Sequence, residues 1–274
     1  HKIKGVVSMR SLILADPEAL CVDLMSSNLV TVQTLEDQET VAQMFAKYNF
    51  QALPVVDSDN RLLGIVTMDD ALDILEDEVT EDMEMMAAMT PSDRPYLSTG
   101  VFTIFKNRIP WLVILMLAAS VTGWIINAFE STLVVTTALI AYIPMLMDAG
   151  GNAGSQTNVS VVRSLSIQEL DFQDLFRVMW KEFRVSVLCG ITMAVLNFAK
   201  LMLLDRVGLT VSLVVSAALV CTVVVSKLLS CLFPMAAKKL NLDPALVSSP
   251  VVTTIADILS LVIYFLLASA LLVP

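Results

Sequence analysis

The sequence predicts an α-helical polytopic membrane protein, with five transmembrane helices preceded by a small cytoplasmic α/β module. Three observations carry that prediction. The 274 residues are 56% hydrophobic and only 16% charged, whereas soluble domains carry about one quarter charged residues. The excess is not spread evenly: residues 1–108 read like a soluble protein, and 109–274 hold nearly all the long apolar runs. Five of those runs satisfy the requirement of about 20 residues for crossing a bilayer.

In the soluble part, Leu29–Val32 reads as a short strand, and Thr34 stands where a cap would open a helix carrying Val41, Met44 and Phe45 at helical spacing. Ala52–Asp57 and Leu62–Thr67 read as two strands joined by the turn signal Ser58-Asp59-Asn60. A helix over about residues 68–76 closes the unit.

The net charge is −10, and much of it lies in one run. Asp69, Asp70, Asp73, Glu76, Asp77, Glu78, Glu81, Asp82, Glu84 and Asp93 follow one another without a Lys or Arg. Such a surface repels nucleic acid and attracts cations; it also fits a solvated helix face. Three of the four cysteines, Cys189, Cys221 and Cys231, fall in apolar runs and no CxxC pair occurs, so neither a disulfide framework nor a zinc site is indicated. A single histidine, His1, argues against a metal centre built on imidazole. The chain opens in mid-pattern without Met, so a longer parent protein is expected.

The five spans are read at about Pro110–Phe129, Leu133–Met147 continuing into a glycine-rich break, Val185–Leu204, Leu209–Phe233 and Val247–Val273. Basic residues set their direction. Lys106 and Arg108 precede span one, Arg163, Arg177, Lys181 and Arg184 separate spans two and three, and Lys238 and Lys239 follow span four. The opposite side has Arg206, with Lys200 near enough to snorkel. The positive-inside rule then makes the N-terminal part cytoplasmic and the C-terminus extracytoplasmic. Trp111 and Tyr264 suit interfacial belts or packing. Ser166–Glu182 alternates apolar and charged residues and reads as an amphipathic stretch lying at the cytoplasmic surface or linking spans two and three.

Two stretches carry the chemistry. Span two ends in Pro144-Met-Leu-Met-Asp148-Ala-Gly150-Gly151-Asn152-Ala-Gly154-Ser155-Gln156. Asp148, Asn152 and Gln156 share one helical face. The glycines suggest broken backbone of the kind tolerated at membrane depth only beside protein or water, where free carbonyls can hold cations; tight helix packing is the other reading. The last span opens with Asp243, Ser249 and Pro250 and continues through Thr253 and Thr254 to Asp257. Ser249, Thr253 and Asp257 form a second stripe, and an Asp at that depth costs about 2.5–3.5 kcal/mol on insertion scales. A cation would balance it; pairing with Lys227 would as well.

Leu53-Pro-Val-Val-Asp57 and Leu63-Gly-Ile-Val-Thr-Met-Asp-Asp70 resemble a CBS module, and Lys4-Gly-Val-Val-Ser-Met-Arg-Ser-Leu12 resembles the end of a preceding copy, Gly5 matching Gly64. In CBS modules a Thr/Ser-x-x-Asp step can hold a nucleotide, which the resemblance places at Thr67 and Asp70 with ATP as the ligand; Thr67 is equally a good N-cap. The glycine motif and the Asp243-to-Asp257 stretch resemble the MgtE magnesium channel family.

That resemblance implies a homodimer in the plasma membrane whose second and fifth spans line one pore. Asp257 and Asp148 would hold Mg²⁺. Pro144, Gly150, Gly151, Asn152, Gly154, Gln156, Ser249, Thr253 and Thr254 would line the pore, and Asp69, Asp70, Asp73, Glu76 and Asp77 would sense cytoplasmic Mg²⁺. It further implies a division into residues 1–15 (end of a first CBS repeat), 16–77 (second repeat), 78–108 (acidic linker and connecting helix) and 109–274 (pore domain). An ion-coupled transporter or exporter, also of Mn²⁺ or Co²⁺, and an intramembrane aspartyl protease are the competing readings. The Gly-x-Gly-Asp step of such proteases is absent.

Overall fold

The computed structural model describes residues 2–92, 94–130, 137–247 and 249–272. His1, Asp93, the residues 133–136 expected to open span two, and Ser248 and Val273 of the expected last span lie outside the described residues. The chain divides into two compact units, one ending at Thr80 and one beginning at Glu81.

The first unit is the expected α/β module. It runs α1 (Met9–Leu14), α2 (Cys21–Leu24), β1 (Val32–Gln33), α3 (Gln38–Tyr48), β2 (Ala52–Val56) and β3 (Leu62–Thr67), and ends in the first turns of α4 (Met68–Met86). The sheet order is β1-β2-β3, with β1 parallel and β3 antiparallel to β2. The first strand is shorter and later than Leu29–Val32 predicts. The helix cap is Asp37 rather than Thr34: the Asp37 carboxylate accepts from the Thr40 amide at 3.1 Å, satisfying one of the donors that every helix start leaves open. Asp57 Oδ1 accepts from the amides of Asp59 and Arg61 and so shapes the β2–β3 turn. The core is Val32, Val41, Ala42, Phe45, Leu53 and Ala71. Preceding residues pair with the module through antiparallel bridges, Lys2 with Arg61 and Val6 with Ser26.

The closing helix of the module extends a further ten residues beyond Glu76, to Met86. The acidic run therefore lies largely along one continuous helix. In the second unit, a 3-10 turn at Tyr96–Ser98 leads into α5 (Val101–Ala128), which carries Pro110 in its interior. A 3-10 segment, Thr137–Tyr142, leads into α6 (Ile143–Ser166); another, Phe172–Asp174, leads into α7 (Leu175–Leu203). Then come α8 (Leu209–Lys239), the 3-10 turn Pro244–Leu246 and α9 (Ser249–Leu272).

One expectation is corrected and two alternatives left open by the sequence are decided. The glycine-rich stretch is not a break: α6 continues through Gly150, Gly151 and Gly154, because their missing side chains are used for close packing rather than for unusual backbone. The amphipathic stretch joins α6 to α7, and from Leu175 it is the first part of α7. Tyr264 is fully buried and donates to the Leu139 carbonyl at 2.9 Å, which takes it out of any interfacial belt. Among the described residues, α5, α7, α8 and α9 are long and apolar enough to cross a bilayer. Helix α6 falls short because polar side chains interrupt it.

The helices pack around a core of Leu139, Leu146, Val214, Val215, Leu219, Leu261, Tyr264 and Phe265. Helix α6 lies against α8 and α9, and α7 lies along α8.

Candidate functional site

Helix α6 has two unlike sides. Pro144, in the first turn where its missing amide hydrogen is no loss, begins an exposed row continued by Asp148, Asn152 and Gln156. The Asn152 amide donates to Asp148 Oδ2 at 3.1 Å. Gly150, Gly151, Ala153 and Gly154 face inward. A methyl at Gly150 would lie 2.8 Å from Thr222 Cγ2, and one at Gly151 would lie 2.9 Å from Thr253 Cγ2. At Gly154 it would collide with the Ser226 and Ser230 hydroxyls. Glycine is therefore required by distance at these positions, as where small residues let membrane helices approach closely. The Ser226 hydroxyl uses that approach to donate to the Gly150 carbonyl at 2.6 Å.

Helix α9 supplies the second stripe. The Asp243 carboxylate accepts from the Ala245 amide at 2.8 Å and sets the turn before it. Ser249, Thr253 and Asp257 are all half-buried. Ser249, Pro250, Thr253 and Thr254 line a groove of about 590 Å³ together with Ser155 of α6 and Leu112, Leu115, Met116 and Ala119 of α5. Thr254 donates to the Pro250 carbonyl at 2.8 Å. Asp257 lies one turn further along, and its Oδ1 is buried without a hydrogen-bond partner. At Gly151 the inward side of α6 lies close against Thr253 of the α9 stripe.

Lys227 does not pair with Asp257. Lys227 is 5% exposed; its ammonium donates to Thr157 Oγ1 at 3.1 Å and lies 3.9 Å from Glu182 Oε2. The Thr157 hydroxyl in turn donates to Glu182 Oε2 at 2.9 Å. Reading the sequence missed this group and Ser155. Lys227, a charge inside an apolar run, was the available signal, but nothing in the spacing points from α8 to Glu182 on α7.

In the first unit, Thr67 and Asp70 satisfy each other. The Thr67 hydroxyl and amide donate to Asp70 Oδ2 at 2.6 and 3.0 Å, a reciprocal cap at the start of α4. Asp69, Asp70, Asp73, Glu76 and Asp77 are all exposed. Among the described residues, no three His, Cys, Asp or Glu side chains converge as a metal-binding group.

Comparison with known proteins adds the family context. Residues 143–267 match the MgtE family, described as divalent cation transporters, and residues 21–77 match the CBS domain. The magnesium transporter MgtE of Thermus thermophilus is 42% identical over 99% of this chain and 60% of its own length. The magnesium transporter MgtE of Bacillus subtilis is 36% identical over 98% of this chain and 59% of its own. The chain thus spans about three fifths of these relatives. A crystal structure of the cytosolic domain of the Mg²⁺ channel MgtE in complex with ATP is 51% identical over 27% of this chain and 29% of that one, with a TM-score of 0.26.

The Thr67 hydrogen bonds hold the exposed Asp70 carboxyl below its ordinary value of 3.8. A depressed folded-state value contributes stability above the unfolded value, lost as pH falls through the folded one. The stability difference between the parent and Asp70→Asn should therefore shrink as pH is lowered from about 5 to about 2. Denaturant unfolding at a series of pH values checks this; a difference constant across the range contradicts it.

Proposed function

The chain belongs to the MgtE family, whose members are transporters rather than enzymes, and from that premise we propose that it forms a homodimeric Mg²⁺ channel of the plasma membrane. The observation that carries the proposal is the buried, unpartnered Asp257 Oδ1 on a helix whose neighbouring turns present Thr253 and Ser249. An ionised carboxylate at membrane depth needs a counter-charge or water. Lys227, the cation within the apolar run of α8 that could have paired with it, is engaged by Thr157 and Glu182.

Two copies related by a two-fold axis would bring two Asp257 carboxylates to one divalent ion. Mg²⁺ dehydrates reluctantly and keeps several waters, so a polar cleft suits it better than a tight cage of protein ligands. The exposed row Pro144, Asp148, Asn152 and Gln156 would face the same path, because a row this polar is not tolerated against lipid. Gly150, Gly151 and Gly154 serve that path from behind, by letting α6 lie close to its neighbours. On this reading α6 is span two and brings the number of spans to five. Its 24 residues extend about 36 Å at 1.5 Å per residue, enough for a hydrocarbon core of about 30 Å.

Lys106, Arg108, Arg163, Arg177, Lys181, Arg184, Lys238 and Lys239 support a cytoplasmic N-terminal module and an outward C-terminal end of α9. Inward Mg²⁺ flow is then driven by about 4.6 kcal/mol per 100 mV of inside-negative potential. Asp69, Asp73, Glu76 and Asp77 lie on the exposed side of α4. Cytoplasmic Mg²⁺ between such carboxylates would relieve their repulsion and bias the channel toward a closed state. The reciprocal Thr67–Asp70 cap accounts for both residues, and the proposal includes no nucleotide step.

Asp257→Ala should lose Mg²⁺-selective flux while assembling normally. Selective flux persisting in that variant would overturn the pore assignment. Neutralising Asp69, Asp73, Glu76 and Asp77 together should leave currents that ignore internal Mg²⁺; inhibition of the usual strength would refute the gating.

A further inference from the structure

The Lys227–Thr157–Glu182 group lies behind the proposed pore and has no part in conduction as described above. Three helices contribute to it: α8 gives Lys227, α6 gives Thr157 and α7 gives Glu182. Lys227 is 5% exposed and Thr157 2%, so neither side chain has the freedom of a surface ion pair. The hydroxyl is the centre of the group. It accepts from the ammonium at 3.1 Å and donates to the carboxylate at 2.9 Å. The two charges are 3.9 Å apart, so the hydroxyl bridges them.

Thr157 directly follows Gln156 and stands five residues after Asn152. The surface that α6 turns toward α8 is smooth along Gly150, Ala153 and Gly154; beyond Thr157, Asn158 donates to the Val247 carbonyl at 3.0 Å and Val161 and Leu165 pack with Cys231 and Met235. Glycine faces allow close approach but offer little to stop a helix from rotating or sliding. The Ser226 bond to the Gly150 carbonyl fixes a point on the backbone. The fork at Thr157 fixes a side-chain direction, because moving the hydroxyl would cost the ammonium and the carboxylate the hydrogen bond that each makes to it.

We propose that Glu182 and Lys227 are positioning residues that clamp Thr157, and that this clamp sets the rotation of α6 and so holds Asn152 and Gln156 toward the ion path. The inference rests on the reading of α6 as a pore helix. A role limited to neutralising Lys227 would be met equally by removing both charges. A positioning role would not, since it requires the bridged hydroxyl.

The test reads the rotation directly, in the full chain reconstituted in liposomes with its four cysteines replaced by alanine. Single cysteines at Asn152 and at Ala153 are probed with a charged, membrane-impermeant thiol reagent. The parent background should label at 152 and stay protected at 153. Thr157→Val, which keeps the shape and removes the hydroxyl, should slow labelling at 152 and speed it at 153 by about fivefold or more, the low end of coupling between sites. Glu182→Gln combined with Lys227→Met should do the same, and Thr157→Ser should restore the parent pattern. The double variant provides the same readout if Thr157→Val does not fold. A parent pattern retained in Thr157→Val or in the double variant overturns the clamp. Protection at 152 in the parent itself overturns the pore reading, and the clamp with it.

Discussion

The close contact of α6 with α8 and α9, made through glycines, is the feature on which the second unit depends. At Gly150, Gly151 and Gly154 even a methyl would meet side chains of Thr222, Thr253, Ser226 or Ser230. Burying that side against neighbouring helices leaves the opposite side of α6 free to carry Asp148, Asn152 and Gln156 in one row. The packing side and the polar side are thus two aspects of one choice: small residues at one set of helical positions and polar ones at the other. The same contact allows Ser226 to reach the Gly150 carbonyl, tying α6 to α8.

The distribution of charge follows from lipid as a solvent. Each ionisable group inside the bundle needs an answer to its desolvation. Lys227 and Glu182 answer for each other through Thr157, and Lys200 pairs with Asp205 at 2.9 Å at the end of α7. Asp257 differs, with one carboxylate oxygen buried and unmatched. That contrast between paired charges and an unpaired one distinguishes structural groups from the group on which the proposed ion site is built.

Much of this was legible in the sequence where one physical rule dominates. Apolar runs locate α5, α7, α8 and α9 because bilayer thickness sets their length, and i, i+4 spacing put Asp148, Asn152 and Gln156 on one side of α6 as found. The glycines were harder. Composition alone does not distinguish a helix opened for ion binding from one packed closely against its neighbours, and the difference lies in Thr222, Ser226 and Thr253 on other helices. The Lys227–Glu182 pairing failed to register for the same reason, since it depends on which helices become neighbours. In the first unit, Asp37 displaced Thr34 as the cap because the helix starts three residues later than its apolar pattern suggests.

The central claim is that the two polar stripes conduct Mg²⁺ driven by the membrane potential. It is tested most directly by flux into liposomes containing the purified chain, with Mg²⁺, Mn²⁺, Co²⁺ and Ca²⁺ compared under the same inside-negative potential. The account predicts Mg²⁺ flux that exceeds the others, grows with the potential and needs no Na⁺ or proton gradient. Mg²⁺ flux that stops when those gradients are removed, or that fails to respond to the potential, would contradict it.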